Sequence, residues 1–254
     1  MSKFAKKLQR IYRGSASSMG FRKSTEAEIL PMLIIANLTK ASAIEAKAIA
    51  GFGIDAGLMS SEGLNAKGFG QLTKALGDAP LGLFLESAEN EVIAKSIDLG
   101  CDFVVFGLKT PFEVLNKQGL GKVLKIEPTL DQGLVRSINR LPLMVDGVLV
   151  NGEETVITIE RLLIYQRFAE LLDKPLLVTV SLSVTSGELS SLCEAGVSGL
   201  VLPDGFAAEA FAELKKIIGG LSKTAKPRTR PAALLPRLGG ELEAEVEEGE
   251  EEDI

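Results

Sequence analysis

The sequence predicts an α/β fold, a single closed (β/α)8 barrel, and three observations carry that prediction. Eight short apolar runs of strand character recur about every 24 residues between residues 32 and 204. Each is followed by a segment whose apolar residues repeat at helical spacing. Glycines and capping signals fall at the junctions. Eight β–α units of this length, with apolar strands of parallel type, close into a barrel. An open doubly wound sheet normally stops at about five to seven strands and carries a glycine-rich phosphate turn after its first strand. The stretch IIANLTKAS (34–42) has no such turn.

Residues 1–30 form a basic amphipathic extension. Phe4, Leu8, Ile11 and Tyr12 lie at helical spacing among Lys3, Lys6, Lys7, Arg10 and Arg13, and no acid occurs before residue 24. The segment has no continuous apolar run of the kind a secretory signal needs. Three readings stay open: a helix covering the bottom of its own domain, a peripheral membrane or protein partner helix, and an organelle transit peptide. The first is favoured, because amphipathic helices most often bury their stripe against their own domain. Residues 15–20 read as a joint.

The barrel is assigned to residues 31–222, with strands at MLIIAN (32–37), IDAGLMSS (54–61), LGLFLE (81–86) and FVVFGL (103–108). The remaining four are KVLKIE (122–127), LMVD (143–146), LLVTVSL (176–182) and GLVLPD (199–204). Capping boxes, a Ser or Thr followed three residues later by Glu or Gln, start helices at Ser42/Glu45, Thr110/Glu113, Thr129/Gln132 and Thr185/Glu188. Gly53, Gly77, Gly100, Gly121 and Gly196 stand where helices stop or strands begin. The fourth helix is squeezed between Pro111 and Gly119.

Residues 223–254 carry five bases and then nine acids. They cannot bury enough apolar area to offset chain entropy and read as a disordered acidic tail. Leu234, Leu235 and Leu238 within it suit either a short docking motif or a solubilising tail.

Composition excludes several function classes. With no histidine among 254 residues, there is no Ser-His-Asp triad and no His-ligated metal. A net charge of −6 gives no general basic footprint for nucleic acid. No apolar run reaches the roughly 18–20 residues a membrane span requires. Cys101 and Cys193 read as buried free thiols, which fits a reducing, cytoplasmic location.

The stretch VTVSLSVTSGELSSLCEAGVSGLVLPDG (178–205) resembles the β7–α7–β8 segment of the aldolase-type and ribulose-phosphate-binding barrel superfamily. That resemblance implies the fold. Phosphate-binding members carry paired glycines after strand seven and a glycine-rich turn after strand eight. Here those places read Ser181-Leu182-Ser183 and Asp204-Gly205, and Asp204 would repel a phosphate. Class I aldolases of this superfamily hold a Schiff-base lysine on an inner strand, commonly the sixth; the candidate here falls on the fifth.

Barrel chemistry sits at the C-terminal ends of strands. Lys125 and Glu127 share the strand face opposite apolar Leu124 and Ile126, so both are expected to point inward. A mid-strand lysine is costly to bury, and chemistry is one reason to accept that cost. A desolvated lysine amine attacks carbonyl compounds, and a nearby carboxylate shuttles protons. Lys125 and Glu127 are therefore the expected catalytic pair of an aldolase-like lyase acting on a small carbonyl substrate without a cofactor. Glu86, Lys109, Asp146, Ser181, Ser183 and Asp204 are the expected substrate-binding residues. A structural ion-pair role for Lys125 remains open beside this. Two other functions also stay open. One is a metal-assisted lyase or isomerase holding Mg²⁺ or Mn²⁺ on Glu86, Glu127, Asp146 and Asp204. The other is a non-catalytic scaffold acting through its charged termini.

Overall fold

The computed structural model describes residues 2–13, 30–62, 65–85, 95, 98–152, 156–181, 183–205 and 208–221. Eight parallel strands close in chain order: β1 (Leu33–Asn37), β2 (Ala56–Ser60), β3 (Leu81–Phe84), β4 (Phe103–Gly107), β5 (Gly121–Ile126), β6 (Gly147–Val150), β7 (Leu176–Thr179) and β8 (Val197–Leu202). The helices described are α1 (Lys3–Arg13), α2 (Ala43–Gly51), α3 (Ala66–Leu76), the single turn α4 (Phe112–Leu115), α5 (Gln132–Ser137), α6 (Ile159–Leu171), α7 (Ser186–Ala195) and α8 (Ala208–Leu221). The expected acidic tail lies outside the described residues.

Side-chain alternation along the strands builds two cores. Leu33, Ile35, Leu58, Val105, Val123, Leu149, Leu177 and Val201 face the barrel axis. Their neighbours, such as Ile34, Leu83, Leu124, Val148 and Leu200, face the helices. The interior is thus a packed core and not a pore.

α1 closes the N-terminal end of the barrel, which for residues 3–13 is the first of the three readings. Phe4 and Leu8 are fully buried within the interior cluster, and the Phe4 ring stacks on Phe103 at 4.1 Å between centroids. Each such burial stabilises by about 1.5–3 kcal/mol. Asp102, just before β4, anchors the start of the helix. It accepts from the Ser2 hydroxyl (2.6 Å), the Lys3 amide (2.8 Å) and the Phe4 amide (2.8 Å). The Ser2 hydroxyl in turn accepts from the Ala5 amide at 3.0 Å. Glycines make room for the plug: a Cβ at Gly147 would lie 2.7 Å from Leu8 Cδ2, and one at Gly121 would lie 2.7 Å from Ser2 Oγ.

Two of the four expected capping boxes form, at Ser42/Glu45 and Thr185/Glu188. At α5 the Asp131 carboxylate, closer to the helix than Thr129, accepts from the Gly133 and Leu134 amides and becomes the cap. At α4 Pro111 occupies the cap position and no side-chain bond is made.

The sixth strand is a correction. It runs over 147–150, four residues later than expected from the apolar run 143–146. Asp146 precedes the strand instead of ending it. Its carboxylate accepts from the Lys122 amide at 2.9 Å and its amide donates to the Lys122 carbonyl at 2.8 Å, stitching β6 to the start of β5. Asp55 does the same before β2: its carboxylate accepts from the Ile34 amide at 2.9 Å and its amide donates to the Ile34 carbonyl at 2.9 Å. Asp55, Asp102 and Asp146 therefore mark the N-terminal ends of alternate strands.

Candidate active site

At the opposite, C-terminal end of the barrel a cavity of about 210 Å³ is lined by Asn37, Thr39, Leu58, Ser60, Phe84, Lys125, Leu149, Asn151, Thr179 and Val201. Those residues come from seven strands or the loops directly after them. This is the end where barrel chemistry is found.

Lys125 owes its place to register and parity. It is the third inward residue of β5 after Gly121 and Val123, and it pairs with Gly107 on β4 and Leu149 on β6. Gly107 has open space where a Cβ would stand. Lys125 is half-buried, and its Nζ lies over the Phe84 ring, 4.8 Å from the centroid. A cation over a ring face gains about 0.5–2 kcal/mol. Among the described residues no carboxylate pairs with Lys125.

The polar rim is built by local turns that tie neighbouring strands together. Asn37 Oδ1 accepts from the Thr39 amide (3.1 Å) and the Thr39 hydroxyl (2.7 Å). Thr39 Oγ1 accepts from the Ser60 amide at 2.9 Å, joining β1 to β2. On the far side Thr179 Oγ1 accepts from the Gly152 amide (2.6 Å) and donates to the Gly152 carbonyl (2.8 Å). These bonds engage the Thr39 and Thr179 hydroxyls and the Asn37 oxygen. The Asn37 Nδ2 amide, the Asn151 carboxamide and the Lys125 ammonium have no hydrogen-bond partner among the described residues. Such a cup complements a small oxygen-bearing ligand.

The other expected site residues lie elsewhere. Glu127, one position past β5, is exposed and outside the lining, so alternation does not carry it into the barrel. Asp146 is at the N-terminal end, as described, and is no mouth residue. Lys109 is exposed in the turn after β4. Ser181 and Ser183 bond to each other at 2.9 Å in the loop after β7, away from the cavity lining. Asp204 is half-buried in the turn after β8; its Oδ1 is buried without a partner among the described residues. Glu86 lies outside the described residues. The expected ring of carboxylates is thus not assembled, and no three acidic or cysteine side chains among the described residues could hold a metal ion. Cys101 is buried, its thiol donating to the Phe103 carbonyl, and Cys193 is half-buried.

Asn37 ends the first of the apolar runs, and Ser60 and Thr179 lie within the second and seventh. Asn151 was missed because β6 was placed four residues early, which pushed it into a loop. Thr39 was missed because it stands two residues beyond its strand, although Asn-x-Thr is a turn signal. Phe84 shares inward parity with Gly82 and carries no chemical signal of its own.

The charged groups that shift most are structural. Burial pushes the Asp55 and Asp146 carboxyls up, against the Ile34 or Lys122 amide and nearby lysines. Burial also holds Lys122 down, with Asp146 opposing. The capping-box hydrogen bonds hold Glu45 and Glu188 below the usual carboxylate range.

No protein-family model matches the chain, and no curated protein matches it in sequence. Solved structures do match in shape. Thiamine phosphate pyrophosphorylase from Pyrococcus furiosus is 15% identical with a TM-score of 0.56, over 75% of this chain and 96% of that one. A tryptophan synthase alpha-subunit from Pyrococcus furiosus is 16% identical with a TM-score of 0.56, over 74% and 97%. A structure described as native KDPGal is 17% identical with a TM-score of 0.55, over 75% and 94%. No helix among the described residues is long and apolar enough to cross a membrane. The chain has the (β/α)8 barrel fold that these structures share.

Proposed function

We propose that this barrel processes a small carbonyl compound through an imine on Lys125, as an aldolase-like lyase. The observation that supports it is the placement of Lys125: a half-buried amine in the mouth cavity, without a carboxylate partner among the described residues, in a cavity that Asn37 and Asn151 also line. In the proposed step the free amine adds to the carbonyl carbon, forming a C–N bond. The carbonyl oxygen takes up protons and leaves as water, giving the imine. The imine nitrogen, once protonated, draws electrons from the neighbouring carbon, so that a C–H or C–C bond there can break. Asn37 and Asn151 would orient the substrate oxygens. No carboxylate lines the cavity among the described residues, so proton movement falls to the Ser60 and Thr39 hydroxyls and to solvent at the mouth. Glu127, next to the site in sequence but outside its lining, would act only from the rim.

A cavity of about 210 Å³ suits a compound of a few carbons better than a nucleotide, since pockets for drug-sized ligands run to about 300–1,000 Å³. The test is exchange of α-protons with deuterated solvent, followed by NMR on pyruvate, glyceraldehyde and dihydroxyacetone phosphate. Wild type should accelerate exchange in at least one of them, and Lys125→Met should return it to background. Exchange at background throughout, or unchanged in Lys125→Met, would reject the imine.

A further inference from the structure

The face of α1 turned away from the barrel carries only positive charge. Lys3, Lys6, Arg10 and Arg13 are exposed, spaced three, four and three residues apart, and α1 contains no acid. That spacing places them in one stripe about 15 Å long. None of the four has an ion-pair partner among the described residues. The aspartates beneath the helix are already engaged: Asp102 by the first turn of α1, Asp146 by Lys122, and Asp55 by Ile34 and Lys7.

The described fold ends at Leu221, on this same side of the molecule. Lys215 of α8 donates to the Gly53 carbonyl at 3.0 Å, and Lys7 of α1 donates to the Asp55 carbonyl at 3.0 Å. α8 and the edge of α1 thus flank one loop, the one before β2. Residues 222–254 follow, and residues 241–254 hold nine acids and no base.

We propose that the acidic segment 241–254 docks along the Lys3–Lys6–Arg10–Arg13 stripe of the same molecule. Charge complementarity supplies the attraction, and tethering supplies the partner. A flexible linker with as many residues as 222–240 would reach roughly 24 Å, longer than the stripe. A tether of that reach presents the acids at an effective concentration on the order of millimolar, which an outside polyanion seldom matches. Docking screens the stripe from anionic lipid surfaces, at the barrel end opposite the mouth cavity.

The test is zero-length carbodiimide coupling of the full chain with peptide mapping. Amides should join Lys3 or Lys6 to Glu243, Glu245, Glu247, Glu248, Glu250, Glu251 or Glu252, with a yield independent of protein dilution. The yield should fall roughly tenfold as salt shortens the Debye length from about 30 Å to about 3 Å. Coupling that rises with protein concentration would assign the stripe to a second copy. Coupling confined to Lys223 and Lys226 would assign the acids to their own segment. Either result overturns the proposal. A full-length variant with Glu247, Glu248, Glu250, Glu251 and Glu252 all changed to Gln gives a second reading. It should bind phosphatidylcholine–phosphatidylserine vesicles roughly tenfold more tightly than wild type. That gain should vanish when Lys3, Lys6, Arg10 and Arg13 are also changed to Gln. Equal vesicle binding by wild type and the five-Gln variant would show that the stripe is not screened, and would also overturn the proposal.

Discussion

Asp55 and Asp146 show how one residue can mislead a sequence reading and still be informative. Each is a carboxylate that accepts from the amide of the second residue of the preceding strand, so it marks a strand start. Read as a strand end, Asp146 was moved to the wrong face of the molecule. Lys125 was legible because apolar Leu124 and Ile126 flank it, and parity alone turns it inward. Glu127 was not, because the alternation that held through Ile126 stops where β5 stops. Burial raises the Asp55 carboxyl, so folding takes up protons there and stability falls as pH rises from its unfolded value of about 3.9 through the higher folded value. Asp55→Asn keeps the acceptor for the Ile34 amide but cannot ionise. Its melting temperature should therefore lie furthest below wild type near pH 4 and draw closer towards pH 7. Glu188 runs the other way, since its folded value is lowered by the Thr185 hydrogen bond. Its contribution is present above about pH 4.5 and lost as pH falls through the folded value, so Glu188→Gln should flatten the acid limb of the thermal stability profile.

Among the elements, α1 is the one whose role the sequence left open and the structure resolved by packing. Its apolar stripe fits inside the barrel because glycines on β5 and β6 leave room for it. Phe4→Ala should lower stability by about 3–5 kcal/mol in denaturant unfolding, the usual loss for an emptied aromatic site. A change below about 1 kcal/mol would mean that α1 is not seated. Helix starts were legible where the side chain able to cap has no rival within two residues, as at Ser42, and failed where a better acceptor stood nearby, as Asp131 does after Thr129. Thr185→Ala should cost about 0.5–2 kcal/mol by the same measurement, because it frees the Glu188 amide. Thr129→Ala, which removes no cap, should change stability little.

At the scale of the whole molecule the barrel was legible, since eight strands at regular spacing admit few parallel topologies. Its tight interior was not, because it rests on pairs distant in sequence. Gly82 shows this: a Cβ there would collide with the Phe103 ring, which itself stacks on Phe4. Gly82→Ala should overpack the axis and cost about 1–3 kcal/mol. The proposed function depends on one group that the closed sheet carries to the mouth, Lys125. Borohydride reduction with each of pyruvate, glyoxylate and dihydroxyacetone phosphate, followed by peptide mapping, tests it most directly. The account predicts a reduced adduct concentrated on Lys125, absent in Lys125→Met, with the exposed Lys109 labelled no more than other surface lysines. An adduct spread evenly over the lysines, or none on Lys125, would contradict it.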